Sequence, residues 1–184
     1  MKEFEVKILE VNHLELEPKI LSLGAKKVFE DIMDAYFFDN DKRDIRNNKE
    51  TLRIRVEGKR VVLTHKKRIE SPDVKIREEN EAEIKDLESA RNLLESLGFK
   101  CFDQVRKKRI SYKVGSTKFE FDIHEGNHSY IPEFLEIEST SAEEIYKYAQ
   151  LLGFSKEDCG NWSISDLVKK YSKSPESSPS GQPE

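Results

Sequence analysis

The stretch Glu3-Phe4-Glu5-Val6-Lys7 alternates ionised and apolar side chains without a break. Successive side chains of a β-strand point to opposite faces, so this segment predicts a strand with one charged and one apolar face. The same period of two returns at Arg53-Ile54-Arg55, Thr64-His65-Lys66, Glu81-Ala82-Glu83, Lys107-Lys108-Arg109, Glu120-Phe121-Asp122 and Glu136-Ile137-Glu138. Phe4, Val6, Ile8, Leu52, Ile54, Val61, Leu63, Phe119, Phe121, Ile123, Leu135 and Ile137 supply the apolar face of most of these strands.

An antiparallel sheet with one face in water alternates in the same way. A solvated face, however, mixes charge signs or uses Thr, Ser and Gln. Here like charges recur two residues apart: Glu3 with Glu5, Arg53 with Arg55, Glu81 with Glu83, Lys107 with Arg109, Glu120 with Asp122, Glu136 with Glu138. Such neighbours repel unless each pair meets opposite charge or a ligand. About eight antiparallel strands can close into a barrel. With the apolar faces turned outward under helices, the charged faces line the lumen. The expected lining is Lys7, Arg53, Arg55, Lys66, Lys107 and Arg109 against Glu3, Glu5, Glu81, Glu83, Glu120, Asp122, Glu136 and Glu138. Buried charges must be paired or liganded, so this lumen is no dry core. It suits a polyanion taken up with a divalent metal, since Arg and Lys hold phosphate oxygens and carboxylates hold Mg²⁺ or Mn²⁺.

The rest of the chain narrows the class. A length of 184 residues allows one domain with a proper core, and 37% charged against 36% hydrophobic residues marks a soluble globule. No apolar run approaches a membrane span, and the charged N-terminus is no signal peptide. Cys101 and Cys159 lack metal spacing and suit a reducing cytoplasm. A net charge of −4 argues against general nucleic-acid binding. His124 and His128 are expected at the surface, separated by strand-to-turn geometry.

Along the chain, a strand is predicted over residues 2–11 and a short helix over 16–23, with Pro18 in its first turn and Gly24 as its stop. A long strand with an irregularity near 31–34 leads to a turn-like segment over 40–50. Two strands flank Gly58, a loop carries Pro72, and another strand covers 74–84. Asp86 caps a helix ended by Gly98. A hairpin turns at Gly115, and a last long strand covers 131–140. Ser141 and Glu144 form a capping-box pattern for a helix ending at Gly153, and a smaller helix follows Trp162. Residues 1–171 read as one domain and 172–184 as a disordered Ser/Pro-rich tail.

Glu3-x-Glu5-x-Lys7 resembles the ExExK signature of the triphosphate tunnel metalloenzymes, also called the CYTH domain. That superfamily groups class IV adenylyl cyclases, thiamine triphosphatases, inorganic triphosphatases and fungal-type RNA triphosphatases. The order of the later pieces strengthens the likeness: Leu52-Arg53-Ile54-Arg55, Leu63-Thr64-His65-Lys66, Glu81-x-Glu83, Lys107-x-Arg109-x-x-Tyr112, Phe121-Asp122 and Leu135-Glu136-Ile137-Glu138. The resemblance implies an α+β fold, an eight-stranded antiparallel β-barrel tunnel with helices outside. It implies that Lys7, Arg53, Arg55, Lys66 and Arg109 hold phosphate, with Lys107 as a helper. Glu3, Glu5, Glu136 and Glu138 would be the metal set for Mg²⁺ or Mn²⁺, with Asp122 joining them and Glu81 and Glu83 supporting. Glu120 shares their parity but matches no motif position.

The resulting expectation is a metal-dependent enzyme that hydrolyses a triphosphate: inorganic triphosphate, a nucleoside triphosphate such as ATP, or thiamine triphosphate. Glu3 and Glu5 would lie near the metal-activated water. The alternatives are a class IV adenylyl cyclase, releasing cyclic AMP and pyrophosphate, and a non-catalytic phosphate-binding module. A monomer or a homodimer is compatible with either enzyme. Arg77 and Glu79 share the parity of Glu81 and reach either a tunnel mouth or the surface. Tyr36, Phe37 and Phe38 are expected in the core, His65 under a helix, and Trp162 against the barrel beside Tyr171.

Overall fold

The computed structural model describes residues 2–69 and 75–172. Its strands are β1 (Lys2–Leu9), β2 (Lys26–Asp39), β3 (Glu50–Glu57), β4 (Arg60–Ile69), β5 (Lys75–Ile84), β6 (Lys100–Val114), β7 (Thr117–Glu125) and β8 (Phe134–Ser139). They close into an antiparallel barrel in the order β1-β5-β4-β3-β2-β6-β7-β8. Five helices accompany them among the described residues: α1 (His13–Ser22), α2 (Asp44–Asn47), α3 (Leu87–Ser96), α4 (Ala142–Leu152) and α5 (Ile164–Tyr171). No helix is long and apolar enough to cross a membrane among the described residues. The loop expected at Pro72 and the tail from residue 173 lie outside the described residues.

Register explains how one parity stays inside all round. Glu5 pairs with Glu138 and Lys7 with Glu136. Arg53 pairs with Thr64, and Thr64 with Glu81. Arg109 pairs with Asp122, and Glu120 with Glu136. A slip by one residue would send each of these ions to the wrong face, so the apolar face enforces the register.

That face is buried outside the barrel wall. Val6, Ile110, Phe119, Phe121 and Ile137 pack with Ile20 of α1 and Ile145, Ala149 and Leu152 of α4. Ala90 and Leu94 of α3 pack on Phe38, Ile54 and Val61. Leu167 of α5 sits with Ile131 and Phe134, and Trp162 and Tyr171 join this cluster as expected.

Several local expectations need correction. Helix α1 begins three residues early, because Asn12 accepts the Leu14 backbone N–H at 3.0 Å and caps it. Pro18 therefore lies inside the helix, where it removes one backbone donor. The long strand β2 is regular at 31–34; its ladder to β6 shifts instead between Lys27 and Phe29 and between Phe37 and Phe38. Segment 40–50 contains α2, held by the buried carboxylate of Asp39, which accepts from the backbone N–H of Asn40, Ile45 and Arg46. Ser141 caps α4 through the Glu144 N–H at 3.3 Å, but the Glu144 carboxylate accepts instead from Ser139 and Ser116. The complete capping box lies on α5, between Ser163 and Asp166.

Beyond α4 the chain returns to the barrel. Lys7 and Gly160 exchange backbone hydrogen bonds of 2.8 and 2.9 Å. A Cβ on Gly160 would stand 2.0 Å from Nε1 of Trp162. An indole is rigid and cannot yield as a flexible chain end would. Gly160→Ala is expected to destabilise the fold by about 1–3 kcal/mol through overpacking. Urea denaturation checks this; an unchanged midpoint would show that the Trp162 contact is slack.

Candidate active site

Inward parity from all eight strands encloses a cavity of about 540 Å³. Glu3, Glu5, Lys7, Arg53, Arg55, Lys66, Glu81, Lys107, Arg109, Glu120, Asp122, Glu136 and Glu138 all line it. Glu83 does not. It sits near the end of β5, 62% exposed, and pairs with Arg60 at 3.2 Å, because the wall ends before its side chain can reach the lumen. Arg77, Glu79 and Lys118 line the cavity as well. For Arg77 and Glu79 the parity signal was present in the sequence; Lys118 shares the parity of Glu120 and was passed over.

The ions are paired across strands. Lys7 Nζ lies 3.1 Å from Glu136 and 3.7 Å from Glu5. Lys66 lies 2.7 Å from Glu79 and 3.6 Å from Glu3. Arg55 bonds Glu57 and reaches Glu81 at 3.4 Å. Arg109 grips Asp122 with two bonds of 2.7 Å, also bonds Glu120, and lies 3.5 Å from Glu136. Lys107 adds a 2.5 Å bond to Asp122. Burial opposes ionisation of Asp122, but these two cations overcome it and hold its carboxyl well below the usual carboxylate range.

Two places are left out of balance. Arg53 makes no ion pair among the described residues, and its buried Nε has no hydrogen-bond partner. Burial, with Arg55 and Arg109 nearby, pushes its guanidinium down to about 10. A pocket of about 50 Å³ lies between Arg53, Arg55, Lys107 and Arg109, with His124 and Ile164 also on its wall. The opposite imbalance surrounds Glu3. Burial, with a hydrogen bond to Glu79, pushes Glu3 up to about 8. Burial and Glu120 also raise Glu138. This corner carries more carboxylate than its lysines neutralise.

The excess of carboxylate oxygens suits a hard divalent cation in donor chemistry. Among the described residues no three His, Cys, Asp or Glu side chains converge as a metal-binding group. Asp122 is committed to Arg109 and Lys107, which leaves Glu3, Glu5, Glu136 and Glu138 as the available donors.

The histidines differ from expectation. His124 and His128 are 5% and 8% exposed, with ring centroids 6.5 Å apart. The 3₁₀ turn Gly126–His128 folds the second ring back over the first. Burial, with Lys107 beside it, pushes His124 down to about 4. His65, rather than lying under a helix, bonds Glu50 at 2.8 Å.

Residues 1–158 match the CYTH domain family. The chain belongs to that family. It is 29% identical over 167 residues to a Methanocaldococcus jannaschii protein whose name gives adenylate cyclase as a provisional activity, covering 86% of this chain and 93% of that one. A solved protein of Pyrococcus horikoshii superposes with a TM-score of 0.75 at 28% identity, over 90% of this chain and 98% of that chain. A Hippeastrum protein described as an adenylyl cyclase candidate with a dominant triphosphatase activity shares the fold, with a TM-score of 0.63 at 21% identity. That likeness covers 95% of this chain and 97% of the Hippeastrum chain.

The raised Glu3 carboxyl has a sign that can be measured. Its folded value lies above the ordinary 4.5, so the folded chain holds more protons than the unfolded chain up to about pH 8. Stability from this group is present below pH 4.5 and lost as pH rises through 8. His124, depressed from 6.5 to about 4, acts in the opposite direction between those values. Between pH 6.5 and 8, denaturant midpoints of the metal-free protein should therefore fall, and Glu3→Gln should flatten the fall. A wild-type profile that rises over that interval would overturn the Glu3 assignment.

Proposed function

We propose that this CYTH protein binds the triphosphate group of its substrate along the lumen and hydrolyses it with the help of Mg²⁺ or Mn²⁺. The observation that carries the reading is Arg53: a buried guanidinium without a counter-ion, grouped with Arg55, Lys107 and Arg109 around one small pocket. Cations concentrated in this way favour a ligand with several phosphate oxygens. Lys7 and Lys66, already shared among carboxylates, hold the rest of the chain of phosphates. Asp122 fixes the Arg109 fork and the Lys107 ammonium in place.

Glu3, Glu5, Glu136 and Glu138 would hold the metal, with Glu81 at the edge of the set. A divalent ion there supplies neutralisation of phosphate charge and a lowered pKa for water. The carboxylates themselves orient water toward the terminal phosphorus, and one left uncoordinated accepts its proton. Phosphoryl transfer asks mainly for positioning and charge neutralisation, which is what this lumen offers. The second reading, cyclisation of ATP to cyclic AMP and pyrophosphate, draws support from the name of the Methanocaldococcus jannaschii relative. Incubation with tripolyphosphate, ATP and thiamine triphosphate separates the two by product: phosphate for hydrolysis, pyrophosphate with cyclic AMP for cyclisation.

Arg53→Ala should weaken tripolyphosphate binding by about tenfold to a hundredfold, from a charge-assisted contact of ~1.5–3 kcal/mol. Its thermal stability should hold or rise, since Arg53 has no ion pair to lose. Calorimetric titration checks the first and thermal melting the second; undiminished binding would refute the cradle. Glu5→Gln and Glu138→Gln keep shape but remove charge, and both should lose nearly all turnover while retaining the ligand. EDTA should abolish wild-type turnover and Mg²⁺ or Mn²⁺ restore it; full activity in EDTA would end the metal-dependent reading.

A further inference from the structure

Where β2, β3 and β6 meet, the cavity wall changes from ionic to aromatic. Phe37 faces inward and stands directly across from Arg53 on one side and Asp103 on the other. The next pairing joins Phe38 to Cys101, so Phe102 has no opposite number in the ladder. An extra residue of this kind re-aims its side chain, and bulges recur beside functional sites. The Phe102 ring accordingly reaches the cavity, 6.4 Å from the Phe37 ring by centroid and tilted 49° to it. It remains 45% exposed.

A second device holds this place rigid. The Arg46 guanidinium lies 3.9 Å from the Phe102 centroid. Its Nε donates to Asp39 at 2.7 Å, and Asp39 is 3% exposed and also accepts from three backbone N–H groups. A buried carboxylate thus fixes α2 and, through it, the cation against the ring. Ile45 and Leu52 add apolar wall on the same cavity.

An inorganic phosphate chain has no surface that such a wall could recognise. An exposed aromatic ring with a fixed guanidinium beside it suits a planar π-system, because ring faces stack and guanidinium planes reinforce them. We infer that Phe37 and Phe102, with Arg46, form a stacking platform that selects substrates in which a heteroaromatic ring is joined to a triphosphate. The inference rests on the triphosphate reading of the lumen. The ring lies at Phe37 and the phosphates begin at Arg53, its cross-strand neighbour, so the two parts of one molecule follow each other inward.

Equilibrium dialysis with Mg²⁺, with bound ligand identified by chromatography, tests the platform against three probes: tripolyphosphate, ATP and thiamine triphosphate. Wild-type protein should retain ATP or thiamine triphosphate more tightly than tripolyphosphate, and whichever it prefers names the ring. Phe102→Ala should cut that preference by about tenfold, the order of one lost base–aromatic stack. Phe102 is part exposed, so this variant should fold; Phe37→Ala provides a second reading of the same ratio. If tripolyphosphate is retained and neither variant changes the preference, the platform is overturned while the triphosphate site stands. If none of the three is retained, the triphosphate site itself fails and the platform with it.

Discussion

Charge cancellation across strands is the constraint on which this barrel depends. The outer face of the wall closes because apolar side chains leave water under α1, α3 and α4. Closure forces the other face, dense in ions, into a confined lumen. Each such ion carries a desolvation penalty of several kcal/mol that only good pairing offsets. Arg109 illustrates the solution, since one guanidinium meets carboxylates from both β7 and β8. Neighbours that repel along a strand are reconciled by partners across it.

Pairing that was complete everywhere would make an inert wall. The lumen instead keeps a surplus of positive charge at Arg53 and of negative charge near Glu3 and Glu138. Each surplus weakens the isolated protein, and each is relieved by an ion of the opposite sign. A ligand that carries several negative charges together with a bound cation answers both at once. Folding energy withheld at these two places therefore reappears as binding energy.

The wall was legible in the sequence wherever strict alternation held, as in β1, β3 and β8. There, like-charged pairs two residues apart left little choice of face. Glu83 shows the limit of parity: it points the right way, but the cavity ends before reaching it. Phe102 shows another, because a bulge breaks the period on which the reading depends. The burial of His124 and His128 turns on a 3₁₀ turn whose hydrogen bonds leave no periodic trace. Asp122 has the parity of a lumen carboxylate, yet its role depends on which cations stand across from it, and only the three-dimensional register supplies that.

The backbone clasp between Lys7 and Gly160 bears on how the chain is made. Strand β1 leaves the ribosome first, but its partners are β5, β8 and this late segment. Nothing early in synthesis can satisfy its edge or cover its apolar face. Contacts so distant along the chain form slowly, because long loops must close before they are rewarded. The strand that carries Glu3, Glu5 and Lys7 thus spends translation unpaired, and the catalytic lumen comes into being only as its last sealing piece arrives.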